Sequence, residues 1–131
     1  MPQWTKKQVI DYTLAMQEAM GLGEWRFTFG FGDIGDNAQI TIHNPEAKMA
    51  LIEYNDAMLS ASRNDLRRTV SHELMHAAIS MYIHLHEETI AALIPGPVGE
   101  LMKDQAIDRE EEICHWFSRH IGPVLPYIAK A

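Results

Sequence analysis

The sequence predicts an α+β domain with a small sheet on one side of several helices. Three observations predict it: a capped helical segment at the start, three short strand-like runs between residues 25 and 54, and helical periodicity from residue 62 onward. In the first segment, Thr5-Lys6-Lys7-Gln8 has the form of a capping box, with Val9, Ile10, Leu14, Met16 and Met20 following at helical spacing. Gly21 and Gly23 end it. Trp25, Phe27, Phe29 and Phe31 then alternate with smaller or polar residues, as one buried face of a strand requires. The turn-forming run Gly32-Asp33-Ile34-Gly35-Asp36-Asn37 leads to a second alternation, Ala38, Ile40 and Ile42, closed by Asn44-Pro45. Met49 to Tyr54 is a third strand.

Ser62-Arg63-Asn64-Asp65 opens a segment with no Gly or Pro until about residue 93. A helix of that length would outrun a small domain, so a break is expected between His84 and Glu88. Leu66, Val70, Leu74, Ala77 and Met81 make one apolar stripe, and Ile79 and Ile83 extend apolar character around the helix. Such a helix is expected to lie buried between layers. Pro95-Gly96-Pro97 interrupts the chain, and Gly99 to His120 reads as a last helix, stopped by Gly122-Pro123.

The chain has 131 residues, enough for one domain, 1–131, with its own core. Its net charge of −7, with only 11 basic residues and no basic cluster, argues against a nucleic-acid partner. No apolar run is long enough to span a bilayer, so no membrane association is expected. The single cysteine, Cys114, excludes an internal disulfide and an all-cysteine metal site, and a reducing, cytoplasmic setting is expected.

The chemistry concentrates in His72-Glu73-Leu74-Met75-His76. On a helix, residues four apart are neighbours on one face, so both imidazoles can reach one tetrahedral Zn2+. Glu73 then projects beside the metal, where it can act as general base and acid. Two histidines on a mostly apolar helix need partners, which favours a metal. The third ligand must come from elsewhere. His84 and His86 lie too far along the helix axis unless it ends sharply, and the acidic run Asp108-Arg109-Glu110-Glu111-Glu112 is the better source. With Ile107, Cys114, Phe117 and Ile121 marking the apolar side of that helix, Glu110 falls near its middle, Glu111 at its edge and Glu112 away from it. Glu100 and Asp104 form a rival pair closer to the Pro-Gly turn.

His72-Glu73-x-x-His76 followed by a later glutamate-bearing helix resembles the gluzincin metallopeptidases, particularly the compact ImmA/IrrE-type family. The run Glu111-Glu112-Ile113-Cys114-His115-Trp116-Phe117-Ser118, ending near Gly122-Pro123, looks like the ligand helix of that family. The likeness covers mainly residues 62–82 and 107–124. It implies a minimal zincin-like domain in which His72, His76 and Glu111 hold zinc, Glu73 is catalytic, and the partner is a protein or peptide substrate. It also implies that the strand Met49–Tyr54 flanks the cleft and pairs with an extended substrate. Tyr82, His115 and His120 are candidate donors to a reacting carbonyl, and His43 a candidate cleft residue. Cys114 reads as a packing residue. The alternative is a zinc-stabilised binding or regulatory module without turnover, in which a fourth protein ligand fills the position that water needs.

Overall fold

In the computed structural model, which describes residues 2–126, the mixed α+β class is realised with 62% helix and 17% strand. Helix α1 (Lys6–Ala19) is capped by Thr5, whose hydroxyl accepts from the Gln8 amide while the Gln8 side chain accepts from the Thr5 amide. Strands β1 (Arg26–Gly32), β2 (Ala38–Asn44) and β3 (Met49–Asn55) form one sheet in the order β1-β3-β2. β1 runs parallel to β3, with Phe29 opposite Ile52, and β2 runs antiparallel, with Ile40 opposite the same residue.

The period-2 alternation gives the sheet one apolar face. Ala50, Ile52 and Tyr54 are buried there, joined by half-buried Phe27, Phe29, Phe31, Ile40 and Ile42. Helix α1 packs on that face through Val9, Tyr12 and Met16, and the Thr13 and Tyr54 hydroxyls hydrogen bond at 2.7 Å. Leu66, Val70, Leu74 and Ala77 of the next helix complete the core. The opposite face is polar, with Gln39 donating to Glu53.

Because β1 and β2 flank β3, the loop between them crosses the end of the central strand. Asn55 fastens it: its amide donates to the Asn37 carbonyl at 2.8 Å and its side chain to the Ile34 carbonyl at 2.6 Å. The strand expected to offer its edge to a substrate, Met49–Tyr54, is therefore the central one. Both of its backbone edges are already paired, so that role is corrected. Among the described residues, the free edges belong to β1 and β2.

Helix α2 (Arg63–Leu93) is 31 residues long and unbroken, which corrects the expected interruption at His84–Glu88. At 1.5 Å per residue it spans about 46 Å. No breaker stands between residues 84 and 88, and helix α3 (Pro97–His120) folds back as an antiparallel partner, so α2 continues past the sheet instead of stopping at its border. Full burial of α2 is corrected as well. Its first four turns are core, whereas Met81, Tyr82, Leu85 and Leu93 are exposed, as are Val98, Leu101 and Ile107 of α3. The two helices thus form a body-bound stem and a projecting arm. The arm turns at Gly96, whose φ of 95° suits glycine, with Pro97 at the first position of α3. A Cβ on Gly99 would meet the Ile94 carbonyl oxygen at 1.9 Å, so the turn closes only around glycine.

Candidate metal centre

The stem of the α2–α3 hairpin brings His72, His76 and Glu111 together. Ser62 caps α2 by accepting from the Asp65 amide, and the Leu66-Val70-Leu74 stripe seats the helix on the sheet. That orientation turns His72 and His76 toward α3, with ring centroids 5.0 Å apart. Cys114 of α3 is fully buried and lies beside His76, close enough to influence its protonation. Glu111 Oε2 then lies 3.4 Å from His72 Nε2, and Glu111 Oε1 lies 3.0 Å from His76 Nε2.

The two imidazoles thus meet different oxygens of one carboxylate, each at a separation of the order found between donors that share a metal. Ligands about 2.0–2.1 Å from a tetrahedral zinc lie about 3.3 Å from one another. The nitrogens are also the correct ones. His76 Nδ1 donates to Glu110 Oε1 at 2.9 Å, which leaves Nε2 turned to Glu111. Glu110 thus touches the back of a candidate ligand and Glu111 the front, while Glu112 pairs with Arg109 in solvent.

Charge is divided unevenly between the two imidazoles. Burial works against protonation of His76, but the hydrogen bonds its ring donates toward Cys114 and Glu110, with the Glu111 charge, overcome it, pushing its pKa up to about 10. His72 is shifted the other way, first by burial and then by the positive charge of His76. Glu73 is buried between the two rings' helix turn and the sheet, and burial raises its pKa to about 7, with the His76 charge opposing and Glu111 and Asp36 adding to the rise. A carboxyl near neutrality can take up and release a proton at physiological pH.

Two cavities open from this cluster. One of about 560 Å³ is lined by Asp36, Asn37 and Ala38 on the sheet side and by Arg68, His72, Glu73, Glu111 and His115 on the helical side. The other, about 270 Å³, runs along Ala38, Ile40 and Ile42 to His76 and Glu110. Edge strand β2 is the wall common to both. No family model matches this chain, and neither any curated protein nor any solved structure matches it.

The remaining candidates separate cleanly. His84 pairs with Glu88 at 3.1 Å, beyond the cluster on the continuous α2, and His86 is exposed. Glu100 faces Lys103 on the arm, and Asp104 is exposed there, so neither approaches the histidines. Tyr82 is exposed, His120 contacts Trp116, and His43 is exposed on β2. His115 is the exception. Its ring lies 4.5 Å from that of His72, and His72, Glu111 and His115 offer donor atoms all within 4.8 Å of one another. Among the described residues that is the one group of three so placed, and it does not include His76, which meets the other oxygen of Glu111. The His76 side chain is 12% exposed and oriented by Glu110, whereas that of His115 is 59% exposed.

The sequence carried a signal for His115 that helical spacing alone could have extracted. It stands four residues after Glu111, on the same face of α3. The Cys114 contact with His76 and the arrival of Asp36 at Glu73 had no such signal, since both depend on how distant elements dock.

Proposed function

We propose that this chain is a zinc-dependent peptidase, with His72, His76 and Glu111 as metal ligands and Glu73 as the proton-transfer group. The observation that carries the proposal is the convergence of two Nε2 atoms on one carboxylate at 3.0 and 3.4 Å beside a buried glutamate. Zinc, when bound there, supplies the Lewis acidity that makes a water nucleophilic at neutral pH. Glu73 accepts a proton from the attacking water and returns it to the departing amine. Glu110 holds His76 in the tautomer that ligates. The free edge of β2, with Ile40 and Ile42 beside the second cavity, supports binding of an extended peptide as an added strand.

The test combines metal content and turnover. The purified chain is expected to take up one zinc, Glu111→Ala to lose it, and Glu73→Gln to keep it while peptide hydrolysis falls by about 10²-fold or more. Unchanged hydrolysis in metal-loaded Glu73→Gln would sink the reading.

A second reading is favoured by the nearness of His115 to His72 and Glu111. If His115 is a fourth ligand, the site is closed and the zinc is structural, in a binding or regulatory module. His115→Ala separates the two. Retained zinc with retained hydrolysis supports the enzyme, and lost zinc with no hydrolysis in the parent chain supports the module.

A further inference from the structure

The stem hairpin has rungs, and the cluster occupies two of them: His76 with Glu111, and His72 with His115. The next rung, four residues earlier in α2 and four later in α3, is Arg68 and Arg119. Both arginines are exposed and line the larger cavity together with His72, Glu73, Glu111 and His115. They also line a third cavity of about 280 Å³, which continues beyond the cluster with Asn64, Arg67, Ser118 and Pro123. Among the described residues, no carboxylate forms an ion pair with either arginine. Asp36, the acidic residue of the cleft wall, sits at the junction of the other two cavities beside Glu73 and does not line this one. In a chain of net charge −7, the cleft is therefore basic at one end alone.

The direction of β2 says what arrives there. Its start, Ala38, shares a cavity with His72 and the arginines, while Ile40 and Ile42 share one with His76 and Glu110. A peptide pairing antiparallel to β2 therefore runs from the Ile42 side toward Ala38, with its C-terminal side leading to Arg68 and Arg119. Parallel pairing would bring an ammonium terminus against two guanidinium groups. Four helical residues advance about 6 Å, and an extended peptide covers about 3.3–3.6 Å per residue. The arginines thus lie one to two residues past a carbonyl held at the cluster.

Resting on the peptidase reading, we propose that Arg68 and Arg119 bind the free C-terminal carboxylate of the substrate and make the chain a carboxypeptidase. Guanidinium forks match a carboxylate bidentately, which sets the cut at a fixed distance from the chain end. Water adds to the carbonyl, the C–N bond breaks, and the new amine leaves with a proton, carrying the carboxylate held by the arginines. The N-terminal fragment keeps the new carboxyl group.

Binding is measured by calorimetry to zinc-loaded Glu73→Gln protein, with N-acetyl-Ala-Val-Ala-Val as the free acid and as its C-terminal amide. The free acid is expected to bind about tenfold tighter or more, as loss of charge-assisted hydrogen bonds implies. The preference should fall below about twofold in Arg68→Ala/Arg119→Ala and return in part with lysine at both positions. Equal binding of acid and amide, a preference that survives the double variant, or inorganic phosphate bound more tightly than the peptide acid each overturns the proposal. Hydrolysis by the unsubstituted chain is scored separately. Acid preference without hydrolysis keeps the carboxylate site and removes the peptidase reading; hydrolysis without acid preference does the reverse.

Discussion

Glu73 is held in a position that costs stability. Its pKa rises from an ordinary 4.5 to about 7 on folding, chiefly through burial. Below pH 4.5 both states are protonated and the residue contributes nothing. Between there and pH 7 the unfolded chain ionises while the folded chain resists, so the penalty grows and is fully present above pH 7. Its size is about 3 kcal/mol. Metal-free Glu73→Gln should therefore be more stable than the parent by up to that amount at pH 8 and equal to it at pH 4, as read by urea unfolding. His76 has the opposite sense. Its folded pKa near 10 exceeds the unfolded 6.5, so its contribution is complete below pH 6.5 and is lost as pH rises through 10. A metal must displace that proton. Zinc uptake at pH 8 is expected to release about one proton, measurable by calorimetry in buffers of different ionisation enthalpy, and Glu110→Gln should reduce the release.

Among the elements, the α2–α3 turn is the most sharply constrained. A methyl at Gly99 has no room beside the Ile94 carbonyl, so Gly99→Ala should destabilise the arm by about 1–3 kcal/mol. Zinc affinity should change little, because the turn lies more than two helical turns from Glu111. The three strands, the first helix and the final helix were legible in the sequence, since their signals are local: the Thr5 capping box, the alternation of aromatics in β1, the Pro-Gly-Pro interruption. Strand order was not. Whether Met49–Tyr54 becomes a centre or an edge depends on a crossing loop whose anchor, Asn55, is one polar residue among many. The continuity of α2 was misjudged for a related reason. A length limit drawn from domain size holds only if the helix must stay against the sheet, and α3 supplies an alternative partner. At the site, the i, i+4 histidines and the outward turn of Glu112 followed from helical phase, whereas the choice of Glu111 over Glu110 rested on the family resemblance. The arginine rung needed the pairing of two helices.

At the scale of the whole molecule, packing is uneven. The stem rests on a core shared by α1, the sheet and α2, whereas the arm beyond Ser80 buries Ile90, Gly99 and Ala106 and exposes most other apolar side chains. Amides of α2 after residue 84 and of α3 before residue 104 should exchange with solvent well before those of residues 66–77, a difference that hydrogen-exchange mass spectrometry resolves peptide by peptide. β2 is also a whole-molecule matter. An unpaired strand edge invites any extended chain, another copy of the same strand included. The ladder shifts register between Ile42 and Asn44, so only Ala38–Ile42 presents a regular edge, about 17 Å long. Five residues suffice to hold the tail of a peptide and are too few for a lasting fibre-like stack of copies, so the same kink that shortens the berth also guards against self-association.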